Sequence, residues 1–338
     1  MLRLPEFVLE RPRTLRAALE LLAENGQSAM VVAGGTDLLP NLKHELFDPK
    51  VLVSLAEIDE LRGVRALPSG ELEIGAMTAL ADVAASELTR TRAPALAQAC
   101  GLVAGPQLRT MGTLGGNVLL DTRCQWYNQS YFWRSALGFC LKKDGTLCHV
   151  VAGGQKCVAA ASNDSAPALM SLGAVLHFES ASGPREVAID DFFTGDGIQN
   201  KKIAPGEILT CVRIPPVPAG HRGAYGKLRD RGSIDFPLLG VAVRLDCNAK
   251  NVVEHADLVL TALAAQPKRV KRAAETLAGT KLGTEGFDAA VEQVAELAYH
   301  QCRPQANIPG DADWRREMVP VWVRRTLADA AKQNTPGR

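Results

Sequence analysis

Along the first 120 residues, apolar positions recur first at helical and then at extended spacing. Leu15, Leu19 and Leu22 share one face of a helix opened near Thr14 and closed by Gly26. Short apolar runs over 29–33, 51–55 and 71–77 predict strands, the first feeding a Gly34–Gly35 turn. Residues 78–86 and 95–105 predict helices. Farther on, a helix over 166–174 precedes strands near 175–179, 186–189 and 208–214. Pro215, Pro216, Pro218 and Gly220 then form the clearest linker. Beyond it the order changes. Strand-like runs at 223–228, 238–245 and 256–264 precede helical runs at 268–277, 285–299 and 313–331. Strands grouped before helices predict a separate α+β domain.

Composition adds bounds. A chain of 338 residues, 46% hydrophobic and 22% charged, has the make-up of a soluble globular protein of two or three domains. Its formal net charge of +1 gives no electrostatic reason to expect nucleic acid or a membrane as partner. No apolar run reaches the length of a membrane span. Pro5 and Glu6 stand where a signal peptide needs its apolar stretch, so the expected location is cytoplasmic.

The chemistry concentrates in one segment. Cys124, Cys140, Cys148 and Cys157 are spaced C-x15-C-x7-C-x8-C, half of the eight cysteines. In a reducing compartment such a group points to metal ligands rather than disulfides. Four thiolates suit a [4Fe–4S] cube or zinc. Zinc sites usually include a close cysteine pair, which is missing here, yet zinc and unligated thiols remain open. Trp126, Tyr127, Tyr131, Phe132, Trp133 and Phe139 crowd the same segment, predicting a small core packed around the cysteines. His149 reads as a hydrogen-bonding neighbour, and Cys100, Cys211, Cys247 and Cys302 as buried hydrophobes. Arg123, Arg134, Lys142, Lys143 and Lys156 outnumber Asp121 and Asp144, and such cations would ease reduction of an anionic cluster.

Two glycine pairs could expose backbone to a diphosphate: AGGTDLLP from Ala33, and GTLGGN from Gly112. Neither has the GxGxxG spacing of a Rossmann site. In order, with AGPQLRTMGTLGGN (Ala104 to Asn117), Asp164 ahead of APAL, GEILTCVRIP, YGKLRDRGSIDFPL and DWRREMVPVWVRRTL, they resemble the FAD-binding subunits of the molybdenum hydroxylases, the xanthine dehydrogenase family. The likeness covers nearly the whole chain. It implies an α+β fold: two α/β FAD-binding subdomains (PCMH-type), plus a C-terminal domain of a three-stranded antiparallel sheet and helices. The implied division is 1–217 for the FAD-binding domain, with an insertion at about 121–160, and 218–338 for a C-terminal domain of the CO dehydrogenase flavoprotein type. The cofactor contacts it implies are Val32, Ala33, Gly34, Gly35, Thr36, Asp37, Leu38, Val103, Thr113, Gly115, Gly116, Asn117, Asp164, Leu209 and Lys227. From residue types alone, Asp164 could instead cap a helix, and Lys227 could be a solvated lysine.

The cysteine insertion separates Asn117 from Asp164 by 47 positions and is similar to that of the β subunit of 4-hydroxybenzoyl-CoA reductases. That likeness implies a [4Fe–4S] cluster on Cys124, Cys140, Cys148 and Cys157. It further implies ferredoxin as donor, with electrons passing through FAD to [2Fe–2S] and molybdenum centres for reductive dehydroxylation of an aryl-CoA. The alternatives are an oxidative molybdenum hydroxylase subunit and a cofactor-free assembly subunit. No [2Fe–2S] or pterin motif is present, so the likeness places those groups on two partner subunits, in a dimer of heterotrimers. The chain alone would be catalytically incomplete. Thr110 and Met111 depart from the Arg-Asn of many relatives before the second glycine loop.

Overall fold

The computed structural model describes residues 2–333; Met1 and 334–338, the outer ends of the two expected domains, lie outside the described residues. A parallel three-stranded sheet of β1 (Val8–Glu10), β2 (Ala29–Val32) and β3 (Val51–Ser54) runs in the order β1-β3-β2. The helix Leu15–Asn25 crosses between its outer strands. Thr14 caps it by accepting from the Ala17 amide, and Gly26 ends it at φ 52°.

The second sheet holds β4 (Val64–Ala66), β5 (Leu72–Gly75), β6 (Val175–Ser180), β7 (Gly183–Ala188) and β8 (Ile208–Ile214), in the order β4-β5-β8-β6-β7. Helices Leu80–Ala85, Pro94–Gly101 and Ser165–Ser171 contribute to a core around Ile74, Leu96, Leu169 and Val212. These two sheets with their helices are the two α/β subdomains the sequence predicted.

The last sheet is antiparallel: β9 (His221–Leu228), β10 (Leu239–Cys247) and β11 (Val253–Thr261), extended at one edge by β12 (Lys268–Arg269). The helical run predicted at 268–277 shortens to Ala273–Leu277. Lys268 and Arg269 pair instead with Leu260 and Val259 as an edge strand, and Arg269 is tied to Asp257 at 2.7 Å and Asp190 at 3.0 Å. The sheet is covered on both faces, which explains its nearly unbroken apolar strands. Glu285–Gln301 and Ala312–Lys332 pack on one side. On the other, Tyr225, Ala242 and Val259 join the middle core.

The second glycine pair is not a loop. It opens the short helix Leu114–Val118, capped by the Thr113 hydroxyl accepting from the Gly116 amide at 3.1 Å. Apolar patterning missed it because five residues cannot show a period.

Candidate functional site

The two α/β subdomains and the loop between β9 and β10 enclose a cleft of about 1000 Å³. Both glycine segments form its wall, and they touch. A Cβ on Gly34 would lie 1.8 Å from the Met111 carbonyl oxygen, so the first turn can approach the second only as glycine. Gly35 has φ +71°, a conformation glycine adopts without a Cβ penalty. A Cβ on Gly115 would strike Ala76, whereas one on Gly116 would meet only the Thr113 hydroxyl, at 3.1 Å. Bare backbone facing a cleft of this size fits the diphosphate of a dinucleotide cofactor.

Of the residues expected to contact the cofactor, Ala33, Gly34, Gly35, Thr36, Asp37, Leu38, Val103, Thr113, Gly115, Gly116, Asn117, Asp164 and Leu209 line this cleft. Val32 and Lys227 do not. Val32 belongs to a small core with Leu42 and Leu52, because alternate strand residues face opposite ways. Lys227 lies beneath the cleft wall, its side chain 1% exposed, 3.1 Å from Asp164. Its ammonium also donates to the carbonyls of Leu102 (3.0 Å) and Asp235 (3.1 Å). It therefore fixes three wall segments at once and is no solvated lysine.

Asp164 does not cap the helix that follows it. Its carboxylate accepts from the Tyr225 hydroxyl at 2.8 Å as well as from Lys227. Burial pushes the carboxyl up to about 6, against the pull of the Lys227 charge. Asn117 accepts from both the amide and the hydroxyl of Ser165, tying the second glycine segment to this aspartate.

Several polar residues were not expected in this wall. Arg123 donates to Asp37 at 2.9 Å and lies 4.1 Å from the centre of the Phe236 ring. Burial holds its guanidinium below the usual arginine range and raises the Asp37 carboxyl. Lys201 donates to the Leu120 carbonyl at 3.2 Å, and burial lowers it to about 8. Lone charged residues carry no spacing signal, so only the fold could bring these together.

The cysteine segment closes on itself at a neck where Arg123 and Ala160 exchange backbone hydrogen bonds of 2.8 Å. Cys124, Cys140, Cys148 and Cys157 line one small cavity. Three of these thiols belong to a core with Leu46, Tyr127 and Ala159. A Cβ at Gly197 would lie 2.6 Å from the Cys157 sulfur, and one at Gly145 would lie 2.7 Å from the Cys140 nitrogen. Amides of Val151 and Ala159 point at the sulfurs of Cys148 (3.5 Å) and Cys157 (3.4 Å). His149 meets the Phe139 carbonyl at 2.5 Å and stacks on Trp126, a neighbour of the cysteines as expected. Burial raises the Cys124 thiol to about 11 and shifts Cys157 upward too.

Among the described residues, no three His, Cys, Asp or Glu side chains form a group suited to one metal ion. An iron–sulfur cube presents four separate irons and needs its sulfurs spread around a larger body. Four cysteine sulfurs around one cavity are a donor set of the kind such a cluster uses.

The expected aromatic core holds only in part. Tyr127 is buried and Trp126 packs beside it, but Tyr131, Phe132 and Trp133 are exposed. They sit on the short helix Tyr131–Ala136, whose buried residue is Arg134. Arg134 donates to the carbonyls of His44 and Glu45, anchoring the segment to the first subdomain. A loop from the C-terminal domain clasps the other side. The Gln125 amide donates to the Asn307 carbonyl at 2.7 Å, Asn307 donates to the Val158 carbonyl, and Arg315 donates to the Gln305 carbonyl.

Comparison with known proteins agrees with this geometry. The chain matches the FAD binding domain in molybdopterin dehydrogenase over residues 5–217 and the CO dehydrogenase flavoprotein C-terminal domain over residues 223–330. It is 31% identical to the carbon monoxide dehydrogenase medium chain of Afipia carboxidovorans over 324 residues, 96% of each chain. It is 27% identical to the xanthine dehydrogenase FAD-binding subunit of Escherichia coli O157:H7, over 95% of this chain and 94% of that one. Reconstituted CO dehydrogenase from Oligotropha carboxidovorans superposes with a TM-score of 0.79 at 29% identity, covering 98% of this chain and 100% of its counterpart.

Proposed function

This chain belongs to the FAD-binding subunits of the molybdopterin dehydrogenases, and from that premise we propose that it is the electron-relay subunit of an oxidative molybdenum hydroxylase. The observation that carries this reading is the cleft walled by two abutting glycine segments. Bound FAD would supply reversible two-electron and one-electron chemistry there. Gly34, Gly35, Gly115 and Gly116 would offer bare backbone to its diphosphate, and Val103 and Leu209 would supply apolar wall. Asp164, fixed by Lys227 and Tyr225, would present a carboxylate to it. Carbon monoxide and xanthine dehydrogenases among the relatives support the oxidative direction. Their designation as medium chains or FAD-binding subunits supports partner subunits; in this reading those partners carry the molybdenum cofactor and [2Fe–2S] centres, in a dimer of heterotrimers. We place the boundary between FAD-binding and C-terminal domains at the proline-rich stretch near 217. The test is to purify the complex and add candidate reducing substrates anaerobically. Bleaching of the flavin by a purine, an aldehyde or carbon monoxide supports the oxidative role. A flavin that none of them reduces, but that a low-potential donor does, refutes it.

The convergence of four thiols on one cavity favours a second reading. In it, Cys124, Cys140, Cys148 and Cys157 hold a [4Fe–4S] cluster and the complex is a reductase like 4-hydroxybenzoyl-CoA reductase, fed by ferredoxin. A cluster here would supply one-electron exchange at low potential. Gly145 and Gly197 would keep the cysteine backbone close, and amides of Val151 and Ala159 would hydrogen-bond its sulfurs. Iron and acid-labile sulfide near four each per chain would support it; zinc, or neither element, would end it.

A further inference from the structure

Among the described residues, Tyr127 and Lys142 are the two that line both the proposed flavin cleft and the cysteine cavity. The Lys142 side chain is 5% exposed. Its ammonium donates to Asp121 at 2.9 Å and to the carbonyl and hydroxyl of Thr122 at 3.0 and 2.5 Å. An ammonium has three donors, and these acceptors take all of them. Nothing is left to bond a ligand on either side. What Lys142 contributes to the two cavities is charge, held in one position 4.5 Å from the centre of the Tyr127 ring. The other cations of the segment are placed differently. Arg123 pairs with Asp37, Arg134 points to the carbonyls of His44 and Glu45 and lies 3.6 Å from Asp144, Lys143 is partly exposed on the cleft side and pairs with the same Asp144 at 3.5 Å, and Lys156 is exposed, where water screens it.

We propose that Lys142 is a positioning residue whose fixed charge sets the reduction potential of the redox group held by Cys124, Cys140, Cys148 and Cys157. This rests on the iron–sulfur reading above. Adding an electron makes the cysteine-held group more negative, so a buried cation beside it favours the reduced form and raises the potential. The excess of positive charge apparent in the sequence thus acts through one lysine, not through the segment's net charge.

The test is a redox titration of the intact complex, monitored by electron paramagnetic resonance, with iron and sulfide measured on the same samples. Lys142→Gln keeps two N–H donors for Asp121 and Thr122 but no charge. Lys142→Arg keeps the charge. Lys156→Gln removes an exposed charge one residue from Cys157. At a fixed ambient potential, we expect Lys142→Gln to lower the ratio of reduced to oxidised cluster about tenfold, equivalent to about 59 mV for a one-electron couple. Lys142→Arg should stay near wild type, and Lys156→Gln should move far less than Lys142→Gln. An unchanged midpoint in Lys142→Gln at full iron content overturns the proposal and leaves the cluster reading intact. Equal shifts in Lys142→Gln and Lys156→Gln overturn it as well. If Lys142→Gln loses its cluster, a midpoint in Lys142→Arg displaced as far as about tenfold would count against a role for charge. Wild-type complex without iron and sulfide on this chain removes the cluster reading itself.

Discussion

Replacing Lys227 with Met should destabilise the chain by about 3 kcal/mol and loosen its flavin. The side chain is fully enclosed, and its ammonium serves Asp164 and the carbonyls of Leu102 and Asp235. Methionine fills the same stem volume but donates to none of them. Each abandoned carbonyl costs on the order of 1 kcal/mol. The carboxylate of Asp164 keeps the Tyr225 hydroxyl but loses its strongest pull toward ionisation. Its cheapest escape is to take a proton; starting from about 6, that adds at most about 1.4 kcal/mol at pH 7. The total falls at the lower end of the range for breaking a buried ion pair from one side. Urea unfolding followed by tryptophan fluorescence reads the midpoint, and flavin absorbance after gel filtration reads retention. In the double variant Lys227→Met/Asp164→Asn, no lone carboxylate remains, so the two losses should not add. A Lys227→Met protein within about 0.5 kcal/mol of wild type, or strict additivity in the double variant, would refute the reasoning.

Three further outcomes follow from the same geometry. Gly116→Val should keep the fold and lose most of its flavin, since its Cβ meets only the Thr113 hydroxyl; Gly34→Val should instead lower stability by roughly 1–3 kcal/mol or more, because it collides with the Met111 backbone. Flavin content and thermal melting separate the two. On the iron–sulfur reading proposed above, serine at Cys124, Cys140, Cys148 or Cys157 should lower iron and sulfide together, and serine at Cys100, Cys211, Cys247 or Cys302 should not; elemental analysis decides. Asp164 has a folded value of about 6, above its ordinary 3.8, so the folded state holds its proton more tightly. Its contribution to stability should therefore decline by roughly 3 kcal/mol as pH rises from about 4 to 6, and Asp164→Asn should abolish that slope in urea titrations against pH.

Much of this is legible in the sequence. The leucine face from Leu15, the strand ending at the Gly34 turn and the proline-rich linker each carry a local signal, and each appears where patterning put it. The clash between Gly34 and Met111 was not legible, because it depends on two segments nearly eighty residues apart meeting. Lys227 illustrates the converse. A lysine in a polar stretch looks solvated, and only the sandwich around the last sheet reveals it as enclosed. Phe132 errs in the opposite direction: an aromatic read as core stands 82% exposed because Arg134 takes the buried face of that short helix.

The clasp around the cysteine segment has a consequence for biogenesis. Asn307 and Arg315 are made about 150 residues after Cys157. At roughly 5–20 residues per second, the ribosome leaves the segment without its C-terminal fastening for about 8–30 s. During that interval the neck at Arg123 and Ala160 can form, but the side facing residues 305–307 stays open. Synthesis order thus makes the loop at 305–307 the last fastening of the cysteine segment to form, closing onto Gln125 and Val158 after everything it holds has been made.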